Sequence, residues 1–216
     1  MTARALRAIS VVFTLTAAGA CASSAGPASE PAAGPDLDRL EAIARARADS
    51  ARMNVHEADV DFMQGMIHHH AQALVMSAWA PDHGASPAVQ TLTARIINAQ
   101  RDEIALMQRW LRERGREVPE VEPSGHMPGM AGDMHMHMPG MLSPEQLARL
   151  DAARGAEFDR LFLTYMIQHH EGAVTMVHDL FAIDGAAQDD AVFKIASDIQ
   201  VDQKTEIARM QRMLDA

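Results

Sequence analysis

The chain has one cysteine, Cys21, in 216 residues, so no internal disulfide can staple it. Aromatic residues are almost as scarce, at 4 %. That argues against a sandwich or barrel, whose strands draw on aromatic and β-branched side chains. Basic residues are outnumbered, 19 Lys and Arg against 29 Asp and Glu, and a net charge of −10 leaves no basic stripe for nucleic acid. Long hydrophobic runs are missing too. The stretch from Ala8 to Ala20 holds thirteen apolar or small residues, too few to span a bilayer as a helix. There is no Cys-x-x-Cys-His for covalent haem, no Gly-x-Ser-x-Gly and no phosphate-binding glycine loop. Nucleophilic catalysis has no foothold.

What is present is apolar and flexible in kind. Hydrophobic residues make up 48 %, which excludes a mainly disordered chain, and 16 of them are methionine. A core of Ala, Leu, Ile and Met favours packed helices. Arg4 and Arg7, the apolar stretch and Ala18-Gly19-Ala20 mark residues 1–20 as a signal peptide. Ala-Gly-Ala-Cys has the form of a lipoprotein cleavage box, which makes Cys21 the expected lipidation site, with plain secretion after Ala20 as the other outcome. Residues 21–35 read as a flexible tether and 36–54 as an N-terminal helix.

The rest is a duplication. Met66, Ile67, His69, His70, Ala73 and Met76 recur at an offset of 100 as Met166, Ile167, His169, His170, Ala173 and Met176. Farther on, Gln100, Glu103, Ile104, Met107 and Leu111 recur at an offset of 103 as Gln203, Glu206, Ile207, Met210 and Leu214. Each copy is long enough for two helices, so residues 55–114 and 143–216 are read as two helical hairpins. In the first, helices over 56–80 and from Ser86-Pro87 to about 115 are expected. In the second, Ser143-Pro144-Glu145-Gln146 has the form of a capping box, opening a helix that continues past Gly155 to about Ile183. The last helix starts near Asp189. The predicted fold is all-α: a four-helix bundle built from two duplicated antiparallel hairpins.

Between the hairpins, residues 115–142 are rich in Pro and Gly and read as a linker. Within it stand His126, Met127, Met130, Met134, His135, Met136, His137, Met138 and Met141. Thioether sulfur is a soft, neutral ligand suited to Cu(I), whereas Mg²⁺, Ca²⁺ and Mn²⁺ prefer oxygen. Exposed methionine in a linker gains little from packing, so the tract is expected to bind copper or silver rather than to be merely biased in composition.

The helical sites follow from spacing. Met66 stands three and four residues before His69 and His70, which places one thioether a turn below two imidazoles. Met76 lies roughly 10 Å farther along the axis. On the partner helix Glu103 and Met107 share a face, and a carboxylate on an otherwise apolar face costs several kcal/mol unless paired or bound to a cation. The candidate ligands are therefore Met66, His69, His70, Met76, Glu103 and Met107, with Met166, His169, His170, Met176, Glu206 and Met210 in the second copy. Any one of these methionines alone is better read as core packing. It is the repetition in register that points to metal. His68, replaced by Gln168 in the second copy, and His178, with Ala78 in its place, carry less weight. His56 and His83 read as ordinary loop or helix-end residues.

The pattern F-[ML]-x-x-M-I-x-H-H-x-x-A-x-x-M is met from Phe62 to Met76 and again from Phe162 to Met176. A Q-x-x-E-I-x-x-M helix follows from Gln100 to Met107 and from Gln203 to Met210. In both features the chain resembles the domain-of-unknown-function 305 family of bacterial proteins, over residues 55–216. The resemblance implies a ferritin-like bundle in an exported protein associated with copper handling, with copper bound through Met and His. The expected role is sequestration or delivery of Cu(I) in the bacterial envelope, facing the periplasm, with metal ions and a copper exporter or envelope copper protein as partners. Membrane contact is expected only through an anchor at Cys21. Two alternatives remain: a ferritin-like redox enzyme, disfavoured because the Glu-x-x-His spacing of di-iron sites is absent, and a structural bundle without metal.

Overall fold

A computed structural model describes residues 36–53, 55–122 and 138–216. The signal segment and Cys21 lie outside the described residues, as do His126, Met127, Met130, Met134, His135, Met136 and His137. Six helices make up the described fold, with no strand among the described residues: α1 (Leu37–Met53), α2 (Glu57–Ala78), α3 (Pro87–Glu113), α4 (Pro144–Ala152), α5 (Gly155–Ala182) and α6 (Asp190–Leu214). None is long and apolar enough to cross a membrane.

The helix starts are set by local chemistry. Ser86 caps α3 with Pro87 behind it, its hydroxyl accepting from the Val89 amide at 3.4 Å. The Ser143 capping box forms as expected, with the Gln146 side chain reaching back to the Ser143 amide at 2.9 Å. His56 caps α2, accepting from the Ala58 amide through Nδ1. One expectation fails. The helix from Ser143 does not run through Gly155 but stops at Ala152, and Ala153 and Arg154 are extended before α5 begins. Gly155 takes φ +58° and its amide donates to the His83 carbonyl at 2.8 Å. A contact made by the far end of the first hairpin thus ends the helix, and no periodicity reports it.

α2 packs on α3 and α5 on α6, and the pairs join through α2 against α5 and α3 against α6. The two inner helices are buried over most of their circumference, as expected of helices apolar on several faces. α3 and α6 bury a narrower stripe. On α3 the buried stripe takes in Gln100 and leaves Ala99 exposed. α1 keeps Leu37, Leu40 and Ile43 exposed.

Asp189 ties the two halves together. Its carboxylate caps α6 by accepting from the Ala191 and Val192 amides, and it pairs with the Arg114 guanidinium, which lies 4.3 Å over the Trp110 ring. Burial would raise its pKa, but the Arg114 bond, the Val192 amide and the Trp110 indole outweigh that and hold it below the usual carboxylate range. Asp189→Ala is expected to cost about 2–3 kcal/mol at neutral pH, from one lost cap and one broken, partly buried ion pair. A depressed pKa contributes stability above the unfolded value and loses it as pH falls through the folded one. The gap in melting temperature between parent and variant should therefore shrink in melts taken from pH 7 down to pH 3.

Candidate metal centre

Successive residues on a helix point about 100° apart, so an adjacent His pair can serve two directions at once. On α2 and α5 it does. His69 and His169 face each other across the contact of the two inner helices, ring centroids 3.8 Å apart. His70 turns to α3 and His170 to α6. Each meets a carboxylate there: His70 Nε2 lies 2.7 Å from Glu103 Oε2, and His170 Nε2 lies 2.7 Å from Glu206 Oε2. The carboxylate of the partner helix is in direct contact with the pair, and both copies build the same bond.

A carboxylate accepts only, so Nε2 of His70 and of His170 is the donor, and in the neutral ring Nδ1 keeps its lone pair. The same reasoning applies to His69, whose Nε2 donates to the Pro139 carbonyl at 3.1 Å. All four rings are fully buried. Nδ1 of each has no partner, and neither does Nε2 of His169. Burial, reinforced by the neighbouring imidazoles, pushes His69 down to about 3 and His169 well below its ordinary value. Both are neutral at physiological pH, the form that can coordinate. A carboxylate or carbonyl fixing one ring nitrogen while the other stays free is how proteins orient metal-binding histidines.

The sulfurs are arranged less simply. Met66 and Met107 belong to one packed cluster, and Met176, from the second copy, packs against it. Met166 and Met210 belong to the other, and with them Met76 from the first copy. Each copy therefore lends its later methionine to its sister's cluster, because α2 and α5 run antiparallel across the His69–His169 contact. Among the described residues no group of three His, Cys, Asp or Glu side chains forms a ready-made metal cage. Any ion held here would need thioether sulfur beside imidazole nitrogen. That donor set fits a soft cation and not a hard one.

Residues 138–142, the described end of the tract, lie across the inner helices as a strap. Gln72 grips Leu142 twice, accepting from its amide at 2.8 Å and donating to its carbonyl at 3.1 Å. On the other side, Gly172 lets the strap touch the α5 backbone: a Cβ there would fall 2.0 Å from the Pro139 oxygen. Met138 comes near α2, its sulfur 3.6 Å from where a side chain on Gly65 would begin, with the Met176 methyl 3.5 Å from the same point. Met141 closes the strap's turn, its amide donating to the Met138 carbonyl.

On the opposite side, a cleft of about 300 Å³ opens between α3 and α6, and Glu103 and Glu206 line it. Asp202 and the buried amides of Gln100 and Gln203 line it too. Burial raises the Asp202 pKa, and repulsion from Glu103, Glu206 and Asp198 adds to it. Asp202, the glutamines and the Pro139 carbonyl were not among the residues expected from the sequence. Only the glutamines left a signal there, through their recurrence.

One histidine differs from a plain loop reading. His83 is buried, bonds the Asp151 carbonyl and carboxylate, and lies against Trp79 and Phe158. It locks the α2–α3 turn to the end of α4. His178 is exposed and away from the centre.

A family model described as "Domain of unknown function (DUF305)" matches residues 59–214. A search of curated proteins gives no significant match. Among solved structures, a DUF305 fragment from Deinococcus radiodurans is similar at 30 % identity and TM-score 0.63, covering 74 % of this chain and 97 % of its own. A DUF305 protein of Streptomyces coelicolor, named as secreted, is similar at 25 % identity and TM-score 0.61, covering 73 % and 92 %. CopM in its Cu(II)-bound form is similar at 28 % identity and TM-score 0.58, covering 73 % and 95 %, and CopM is also known in Cu(I)-bound and Ag-bound forms.

Proposed function

The chain belongs to the DUF305 family, and from that premise we propose that it is an exported copper-binding protein that takes Cu(I) into a helical His/Met centre. The observation that carries the reading is the duplicated His–Glu pair, whose carboxylate fixes one imidazole nitrogen and leaves the other unpartnered in a sulfur-bearing interior. Orphaned nitrogens in a buried core are costly unless something binds them. The similarity to CopM, which binds copper and silver, supports the same choice of ion.

In this reading the four long helices are a ferritin-like bundle of two duplicated hairpins, spanning residues 55–114 and 143–216. His69, His70, His169 and His170 supply nitrogen, and Met66, Met107, Met176, Met76, Met166 and Met210 supply sulfur. Glu103 and Glu206 orient the rings. The Met/His tract captures ions, and the strap brings its last sulfurs, Met138 and Met141, to the bundle surface. The role is sequestration or delivery in the bacterial envelope, with a copper exporter or another envelope copper protein as the receiving partner. The chain is held to the membrane by a lipid on Cys21.

The test is a competition titration of full-length, metal-free protein against a chromophoric Cu(I) chelator, repeated with Ag(I). Tight, saturable binding of both is expected. A protein that takes up neither from the chelator would overturn the reading.

A further inference from the structure

The α3–α6 cleft has features that holding the helices together does not require. The amide nitrogen and oxygen of Gln100 and the amide oxygen of Gln203 are buried in its wall without hydrogen-bond partners. These residues are only 1 % and 2 % exposed. Unsatisfied amides at that depth are a standing cost, which a ligand or its water would remove. Three carboxylates, Glu103, Asp202 and Glu206, line the same space, and two of them are the groups bonded to His70 and His170. The glutamates are not sealed in: their side chains are 13 % and 21 % exposed, while the imidazoles behind them are not exposed at all. Arg95 and Arg209 also line the cleft.

We propose that this cleft is the entry site for incoming cations, where a partly hydrated ion is held by the carboxylate and amide oxygens before it passes to the imidazoles behind Glu103 and Glu206. The proposal rests on the copper-binding reading and adds a route to it. Oxygen donors hold a soft cation only weakly, which suits a transient station that gives the ion up to nitrogen and sulfur. A carboxylate bonded to an imidazole joins the wet cleft to the dry centre without exposing the rings. The opposite approach is obstructed: there the strap covers the inner helices, with His69 bonded to Pro139 and Gln72 to Leu142. Asp202 has no counterpart in the first copy, where Ala99 stands at the equivalent position. It can therefore be altered without touching the duplicated bonds.

The experiment is stopped-flow transfer of Cu(I) from its chelator to the full-length chain, with the histidines and methionines between 126 and 137 replaced by serine so that the tract does not mask the centre. Thr205→Trp, which plugs the cleft from its exposed rim, should slow uptake but reach the same end point. Asp202→Lys should slow uptake about tenfold, within the range by which charge-lined clefts alter association rates. Glu171→Lys makes the same charge change on the exposed side of α5 and should have little effect. Unchanged rates in both cleft variants would overturn the entry site while leaving the centre intact, as would equal slowing by Glu171→Lys. Absence of uptake by the parent would overturn the copper-binding reading itself, and the route with it.

Discussion

Replacing His70 and His170 together by glutamine is expected to lower Cu(I) affinity at the helical centre by more than about 100-fold. Glutamine keeps a donor for Glu103 and Glu206, so the bonds now made at 2.7 Å can re-form while the free imidazole nitrogens disappear. Altering a group that only supports a ligand typically costs 10–100-fold in metal affinity, and removing the ligand should cost more. The loss can be read in a second way. A ligand present at about 100 times its Kd stabilises the folded state by about 2.7 kcal/mol, so metal should raise the parent's melting temperature and leave the double variant's almost unmoved. The metal-free variant should melt within a few degrees of the parent. Equal metal-dependent stabilisation in both proteins would show that these rings only fill space.

Gly172→Ala is expected to lower stability by about 1–3 kcal/mol, the range for forcing extra atoms into a packed interior. The added carbon would stand 2.0 Å from the Pro139 oxygen and 2.6 Å from the Gly140 Cα. Both are backbone atoms with no rotamer to move aside, so the strap must lift. When it lifts, His69 loses its carbonyl partner, and residues 138–142 should become open to protease. Gly115→Ala provides the control. Gly115 has φ +63° with open space around it, so alanine there meets strain but no collision, and about 1 kcal/mol is expected. If the two alanine variants melt together, the crossing of strap and helix is looser than its distances imply.

The same strap explains why two departures from the repeat were legible but not interpretable. Gln72 and Gly172 occupy equivalent positions, as do His68 and Gln168. In three dimensions Gln72 grips Leu142, Gly172 clears space for Pro139, and Gln168 donates to the Gly140 carbonyl while receiving a bond from Gln146. A single strap crossing a duplicated pair of helices cannot treat both copies alike. Symmetry is broken where it lands, and the sequence records the breakage without its cause.

The histidine–glutamate pairs were easier to anticipate. Met66, His69 and His70 are close in sequence, so helical spacing alone relates them, and the repetition of Glu103 as Glu206 marks a carboxylate kept for a reason. Asp202 was invisible because it has no counterpart in the first copy and its neighbour Glu103 lies on another helix, about a hundred residues away. The stop at Ala152 was missed for a similar reason. Its cause, the seat of Gly155 on the His83 carbonyl, is a contact between hairpins.

The sequence by itself pointed to the spans of α2, α3 and α6, to the Ser86 and Ser143 caps and to the recurrence of a His doublet and a glutamate, because all of these follow from periodicity and short-range chemistry. Only the tertiary structure decided that His69 meets His169, that each copy lends a methionine to its sister's cluster, and that a strap covers one side while a cleft opens on the other. Those arrangements depend on how α2 crosses α5 and α3 lies beside α6. Packing of whole surfaces sets such crossings, and no local pattern in the chain encodes it.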